Sequence, residues 1–268
     1  MLAKVFLLTL ITISCVSAFE RHQIKHHGAN RFLDLQRGTD VGSPTYDFYK
    51  FAKEWSGTTC YETKCVDDHL GRKEWNQHGL WPNQWHTFNI PGCSNEPWDS
   101  SKFNAVEMKQ LISFWDGMYS ADDGFWSHEW TKHGKCWDAN KGDLTKMSHD
   151  LQHHIKNSRE DLAAGKSQEV DYFQTVYLVQ KPLDFYQVLE NAGITPGTET
   201  YTFDAIKSAL QTGFGVQNMD IICKKSKEGD SMLSEVRICI DLDYNVFNCP
   251  TESRKCANDV LYPPHATS

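Results

Sequence analysis

Cysteine content constrains the fold of this chain more than any other feature of its sequence. Nine cysteines occur in 268 residues, and the first, Cys15, lies in an N-terminal segment with the features of an export signal. An apolar run over residues 5–16 is too short to span a bilayer, and Val16-Ser17-Ala18 is typical of a signal-peptide cleavage site. Cleavage after Ala18 removes residues 1–18 and leaves eight cysteines. An even number in an exported chain favours a fold stapled by disulfides.

The pairing of these cysteines is mostly open, because eight of them allow about a hundred connectivities. Two pairs have local support in the sequence. Cys60 and Cys65 are close enough to clip a turn, and Cys239 and Cys249 flank a turn that follows an alternating apolar run. A zinc site is the alternative use of the cysteines. The chain contains no Cys-x-x-Cys spacing, which argues against zinc.

Hydrophobic periodicity favours a single α+β domain over residues 44–262. Apolar residues at helical spacing predict helices over 106–118, 125–137, 144–162, 182–190 and 203–210. Aromatic and β-branched residues predict strands over 46–52, 221–223 and 235–242. Glycine and proline across residues 76–93 predict a loop with short strand pieces. Residues 19–43 are polar and predict a loosely ordered arm, and residues 263–268 form a C-terminal tail.

The segment Gln77-His78-Gly79-Leu80-Trp81-Pro82-Asn83 is the first of two that carry residues suited to catalysis. A histidine beside glycine and proline lies on constrained backbone that a ligand can approach. The indole of Trp81 offers a flat stacking surface, although an indole is as often part of a core.

The second segment, residues 125–137, gathers four ionisable side chains on one face of a predicted helix. At about 100° per residue from His128, Lys132 lies at about 40°, Glu129 at about 100° and His133 at about 140°. An adjoining stripe of indoles predicts that this helix is anchored in the core, through Trp126, Trp130 and Trp137.

Histidines grouped with a lysine and a glutamate, without a thiol, suit metal-free phosphoryl transfer from RNA. One imidazole removes the proton of the 2′-OH, another protonates the 5′-leaving oxygen, and cations stabilise the charged phosphorane-like state. The 2′-OH is the nucleophile, so DNA is not cleaved. A zinc hydrolase is the alternative, because His128-Glu129 resembles the start of His-Glu-x-x-His. The next histidine is at i+5 rather than i+4, which does not build the usual zinc pair.

Taken together, the two segments resemble the active-site segments of the ribonuclease T2 family. The likeness covers His78-Gly79-Leu80-Trp81-Pro82 and residues 127–136, in this order, within a similarity from Tyr46 to Cys256. It implies an α+β fold with a central antiparallel β-sheet flanked by helices. It also implies a monomeric endoribonuclease, secreted or in the lumen of a lysosome or vacuole, with an acidic optimum. Such enzymes cleave single-stranded RNA through a 2′,3′-cyclic phosphate, with low base specificity and without metal or other cofactor.

The resemblance assigns a role to each ionisable residue of the two segments. It makes His133 the base that activates the 2′-OH and His78 the acid at the leaving oxygen. It makes His128 a phosphate-binding residue, and Glu129 and Lys132 residues that stabilise the transition state.

Substrate contacts and cysteine pairing also follow from the resemblance. Trp81 is expected to stack on a base, and Asn83 to line the same base site. The bridges of the family map onto four pairs of this chain: Cys60–Cys65, Cys93–Cys136, Cys223–Cys256 and Cys239–Cys249. The second of these pairs would tie the first segment to the catalytic helix and fix the distance between His78 and His133.

Two parts of the chain depart from the pattern of the family, the arm over 19–43 and a predicted helical insertion over 143–168. The polar face of the insertion carries five basic or titratable residues, Lys146, His149, His153, His154 and Lys156. This face is either a surface for RNA or a partner, or merely solvated. A secreted binding or signalling protein on the same scaffold, with catalysis secondary, is therefore the alternative function. The intact set of ionisable residues argues against a loss of activity.

The net charge of the mature chain appears unfavourable for binding RNA. Without residues 1–18 it carries 26 basic and 35 acidic side chains, a formal charge of −9. All twelve histidines remain, so their full protonation at about pH 5 would move the charge to about +3. The sequence thus predicts that affinity for RNA rises as the pH falls through the histidine range.

Overall fold

The computed structural model describes residues 46–61, 65, 75–85, 90, 93, 96–118 and 121–265. The predicted signal peptide over 1–18 and the predicted arm over 19–43 lie outside these residues. Within the described part of the chain, no helix is long and apolar enough to cross a membrane.

A mixed, mostly antiparallel sheet forms the centre of the α+β fold. Its strands are β1 (Phe48–Glu54), β2 (Asn76–Asn83), β3 (Thr200–Thr202), β4 (Asp220–Lys225), β5 (Ser231–Ile240), β6 (Val246–Phe247), β7 (Arg254–Lys255) and β8 (Asp259–Leu261). The main order is β2-β1-β5-β4-β7, with β6 and β8 also paired to β5 and β3 paired to β8. The pairs β4–β7 and β5–β8 are parallel and the others antiparallel. The predicted fold class is confirmed, and the sheet is mixed rather than purely antiparallel.

One short helix lies between the first two strands, and the other helices fill the middle of the chain. They are α1 (Ser56–Thr59), α2 (Ala105–Phe114), α3 (Asp122–Lys132), α4 (His149–Ala163), α5 (Gln168–Gln180), α6 (Phe185–Asn191) and α7 (Phe203–Phe214). Short 3-10 turns occur at Ser100–Lys102, Gly134–Cys136 and Leu144–Lys146. Asn104 caps α2 by accepting hydrogen bonds from the backbone amides of Val106 and Glu107.

Three predicted elements differ from the structure for physical reasons. The segment predicted over 76–93 as a loop with short strand pieces begins with one longer strand, because β2 pairs with β1 along Asn76–Asn83 and buries Leu80. The helix predicted over 125–137 ends at Lys132. The insertion predicted as one helix from 144 begins with a 3-10 turn and becomes α-helical only at His149. Helix α5 was not predicted, because its own apolar residues are distributed around much of the helix and their periodicity is weak.

Indoles make up much of the core behind the catalytic segments. Trp126 and Trp130 of α3 are buried, as predicted, and Trp137 is buried although it lies beyond the helix. The indole N–H groups of these three residues have acceptors: Trp126 donates to the carbonyl of Trp115, Trp130 to the carbonyl of Glu96 and Trp137 to the hydroxyl of Tyr244. Buried tryptophans that keep their hydrogen bonds hold a helix in one orientation. The side chains that α3 presents to the site are therefore fixed by the core.

Four disulfides join parts of this domain, namely Cys60–Cys65, Cys93–Cys136, Cys223–Cys256 and Cys239–Cys249. These are the pairs that the resemblance implied. The chain end is also attached to the domain, since Trp55 donates a hydrogen bond to the carbonyl of Pro263 and packs against the ring of His265. Residues 263 and 265, predicted as part of a tail, thus contact Trp55, which lies between β1 and α1.

Candidate active site

A β-bulge places His78 in the site. Ala52 of β1 pairs with Gly79 and Lys53 pairs with Gln77, so His78 has no partner of its own in the register. A bulge re-aims the side chain of the extra residue. Gly79 beside it has no room for a Cβ, which would collide with the indole nitrogen of Trp81 and a carboxylate oxygen of Glu129.

Carboxylates surround His78. Its Nδ1 lies 2.9 Å from Oε2 of Glu235, and its Nε2 lies 3.9 Å from Oε1 of Glu129. Burial disfavours the charged imidazole, but the hydrogen bond to Glu235 and the charges of Glu54, Glu235 and Glu129 outweigh it and raise the pKa of His78 to about 9. At neutral pH, His78 is therefore an imidazolium that can give up a proton.

Glu129 is the buried carboxyl of the site. Its side chain is 1% exposed, and Oε2 accepts a 2.8 Å hydrogen bond from Nε1 of Trp81. Burial raises the pKa of Glu129 to about 7, even though the charge of His78 and the indole hydrogen bond both favour the ionised form. Below that pH the carboxyl keeps its proton and becomes a hydrogen-bond donor.

His133 lies just beyond α3, where the chain leaves the helix. It is the C-cap residue, with φ −132° and ψ −55°, and its amide donates to the carbonyl of Glu129. The wheel position predicted for His133 was therefore wrong, because the helix ends one residue before it. The following Gly134 allows a close approach, since a Cβ there would lie 2.6 Å from the ring of Trp130 and 2.7 Å from the ring of Tyr172.

Cations surround His133, in contrast to His78. Burial and the nearby positive charges of His78, His128, Lys132 and Arg237 lower the pKa of His133 to about 3. His133 is therefore a neutral imidazole at neutral pH, able to accept a proton. Two histidines of one site are thus held in opposite protonation states.

The indole of Trp81 lies next to His78, His133 and Glu129. Its ring lies 5.0 Å, centroid to centroid, from the ring of His78 and 5.1 Å from that of His133. The guanidinium carbon of Arg237 lies 4.9 Å from the centroid of the same indole. The neighbours of Trp81 thus include both histidines that are predicted to be catalytic, and a role of Trp81 in stacking on a base stays a prediction.

His128 and Lys132 lie one turn apart on α3, and both are exposed. Within the described part of the chain, neither side chain makes a hydrogen bond or an ion pair. The binding of an incoming phosphate by these two exposed basic side chains stays a prediction. Asn83, the other predicted base-site residue, lies at the end of β2 opposite Phe48, and its Oδ1 accepts a hydrogen bond from the amide of Gln84.

Sequence analysis missed three charged residues of the site, Glu54 from β1 and Glu235 and Arg237 from β5. Glu54 lies opposite Glu235 in the sheet register, and Arg237 forms an ion pair with Glu235. The sequence signal for Glu235 and Arg237 was the alternation of charged and apolar residues along β5. That alternation indicates a strand with one polar face, but it does not show which residues the polar face contacts. Among the described residues, no cluster of three or more His, Cys, Asp or Glu side chains is arranged to hold a metal ion.

The polar face predicted for residues 143–168 divides in the structure. His149, His153 and Lys156 are exposed, while His154 packs towards α5, with Nε2 3.0 Å from Oγ1 of Thr175. Burial lowers the pKa of His154, which does not belong to the exposed face.

Comparison with known proteins shows the family of this chain. The sequence model of the Ribonuclease T2 family matches residues 46–249, so the chain belongs to the ribonuclease T2 family. It is 29% identical to the Ribonuclease T2 of Sus scrofa over 221 residues, which cover 78% of this chain and 93% of that protein. It is 28% identical to the Intracellular ribonuclease LX of Solanum lycopersicum over 242 residues, which cover 85% of this chain and 88% of that protein.

A solved structure supports the same assignment at the level of the fold. The crystal structure of RNase NT in complex with 5′-AMP superposes with a TM-score of 0.63 at 27% sequence identity. The superposition covers 82% of this chain and 99% of RNase NT.

Proposed function

We propose that this protein is an endoribonuclease that cleaves single-stranded RNA by transphosphorylation through a 2′,3′-cyclic phosphate, with low base specificity and without a metal. The observation that carries the proposal is a pair of imidazoles around one indole with opposite surroundings. His78 lies among carboxylates and His133 among cations. An acid and a base that are both ready at the same pH are what a concerted proton transfer requires.

In the first step, His133 takes the proton of the 2′-OH as the 2′-oxygen attacks phosphorus. The bond from phosphorus to the 5′-oxygen breaks, and His78 gives that oxygen its proton. The donating atom is Nε2, because Nδ1 of His78 is engaged by Glu235. The products are a 2′,3′-cyclic phosphate and a free 5′-OH.

The second step runs the proton transfers in reverse. His78, now neutral, takes a proton from water as the water oxygen attacks phosphorus. His133 returns its proton to the departing 2′-oxygen, and a 3′-phosphate is left. Both histidines finish in the states in which they began.

Stabilisation of the phosphorane-like state falls to the groups around the two histidines. The exposed side chains of His128 and Lys132, one turn apart on α3, are proposed to bind the non-bridging oxygens. Glu129, neutral below about pH 7, is placed to donate a hydrogen bond to one of them. Loss of that proton at higher pH supports the acidic optimum that the sequence predicts.

Trp81 and Asn83 are proposed to contact the base next to the scissile phosphate. The binding of 5′-AMP by RNase NT supports a nucleotide site on this fold. DNA lacks the 2′-OH and is expected to remain intact. Four disulfides and the predicted signal peptide support export, to the outside or to a lysosomal or vacuolar lumen.

The direct test incubates the mature protein with single-stranded RNA in EDTA and analyses the ends of the products. The proposal expects 2′,3′-cyclic phosphates and 5′-hydroxyls, with cleavage lost in His78→Phe and in His133→Phe. RNA cleavage that survives both substitutions, or that requires an added metal, would refute the mechanism. Glu228→Gln, an exposed change away from the site, serves as the preparation control.

A further inference from the structure

We propose that Glu235 is a positioning residue for catalysis, which fixes the ring of His78 through Nδ1 and directs Nε2 towards the leaving oxygen. This inference rests on the proposed function, because it concerns the acid of the same reaction. Glu235 lies on β5, in neither of the two segments that carry the other catalytic residues.

The contact is specific in its geometry. Oε2 of Glu235 lies 2.9 Å from Nδ1 of His78, while Oε1 pairs with Nε of Arg237. With both carboxylate oxygens engaged, the side chain has one orientation. A carboxylate that accepts from one ring nitrogen fixes the tautomer and leaves the other nitrogen to carry the transferred proton.

The sheet register explains why Glu235 can do this and the neighbouring carboxylates cannot. β5 lies beside β1, and the pair Glu54–Glu235 brings a carboxylate next to the bulge that turns His78. Glu54 acts on His78 only by its charge, and Glu129 lies 3.9 Å away on the Nε2 side. Among the described residues, Glu235 is the carboxylate that hydrogen-bonds this imidazole.

Charges around the pair make the contact matter for the proton on His78. The groups that face it are the carboxylates Glu54 and Glu129, the guanidinium of Arg237 and the neutral imidazole of His133. The pKa of Glu235 is lowered, since hydrogen bonding to His78 and the charges of His78 and Arg237 outweigh its burial. Glu235 therefore stays ionised and holds His78 protonated into the alkaline range.

The test is Glu235→Gln, read out by NMR titration of the His78 imidazole and by the pH profile of RNA cleavage. The expected result is a pKa of His78 that falls from about 9 by about two units or more, towards its reference value of about 6.5. The ratio of wild-type to variant kcat/KM is expected to rise by about tenfold or more between pH 5 and pH 8, with KM little changed.

Two matched variants separate the contact from other effects of the change. Glu228→Gln also removes one negative charge and is expected to leave the pKa of His78 and the pH profile unchanged. Arg237→Gln tests whether the effect of Glu235→Gln comes from releasing the guanidinium of Arg237. Because Arg237→Gln removes a positive charge, it is expected to raise the pKa of His78 or leave it unchanged, opposite to Glu235→Gln.

The outcomes distinguish this inference from the proposed function. Wild-type protein without cleavage would refute the proposed function, while the NMR titration would still decide the contact. Cleavage with identical pH profiles and an unshifted pKa of His78 in Glu235→Gln would overturn the inference. Glu235→Asp, which keeps the charge and shortens the reach, is the second variant if Glu235→Gln fails to fold, and it is expected to retain part of the pKa shift. A pKa of His78 in Glu235→Asp equal to that of wild type would also overturn it.

Discussion

The carboxyl of Glu129 places one titratable proton at the centre of the site, next to His78, the histidine that we propose as the acid. Its burial and its hydrogen bond from Trp81 are fixed by the lack of a Cβ at residue 79. The pKa of Glu129 is raised to about 7, so the group is neutral in an acidic compartment and charged above neutrality. The proposed mechanism uses the neutral form as a hydrogen-bond donor.

A substitution that keeps the donor but cannot titrate tests that use. Glu129→Gln retains a group that donates and one that accepts from Trp81. We expect kcat/KM of wild type to fall as the pH rises through about 7, and this fall to be absent in Glu129→Gln, measured on the same RNA from pH 5 to pH 8. A fall of equal size in the variant would contradict the role of Glu129.

At the scale of single residues, the local sequence identified His78 and His133 as candidates but did not identify the charged side chains around them. His78, Glu129 and His133 occur in short segments whose composition suggests proton transfer. Glu235 and Arg237 are distant in sequence and meet His78 only because β5 lies beside β1. Strand order and register depend on packing of the whole sheet, which residue spacing in one strand does not specify.

At the scale of elements, the positions of His78 and His133 depend on irregular points of the secondary structure. His78 lies on a bulge of β2 and His133 one residue past α3. The apolar stripe of α3 predicted a core-facing helix, and burial of Trp126 and Trp130 agrees with it. The helix end was not predictable from periodicity, because it depends on packing of Gly134 against Tyr172 from another helix.

The Cys93–Cys136 bridge acts on the same helix end, because Cys136 follows His133 by three residues. Replacing both cysteines with serine is expected to lower the free energy of unfolding by roughly 3 kcal/mol, measured by denaturant titration. We also expect a loss of kcat, because the backbone that follows His133 loses its tether. The matched control replaces Cys60 and Cys65, which close a shorter loop that does not include the end of α3. An unchanged kcat in the first variant would contradict the positioning role of the bridge.

For the whole molecule, the structure corrects the argument from net charge. The predicted change from −9 to about +3 requires every histidine to titrate between neutral pH and about pH 5. His78 is already protonated at neutral pH, and His133 stays neutral down to about pH 3. The rise in RNA affinity at lower pH stays a prediction that depends on the other histidines. The charge that matters for catalysis is local to the site.

Assignment of His78 as acid and His133 as base is the central claim, and a change of leaving group tests it most directly. A nucleoside 3′-(4-nitrophenyl phosphate) releases nitrophenolate, which needs no proton, whereas cleavage of RNA needs one on the 5′-oxygen. The account predicts that His78→Ala loses about a thousandfold in kcat/KM on RNA but less than about tenfold on the nitrophenyl ester, while His133→Ala loses about a thousandfold on both. Equal losses of His78→Ala on the two substrates, or the reverse pattern between the two variants, would contradict it.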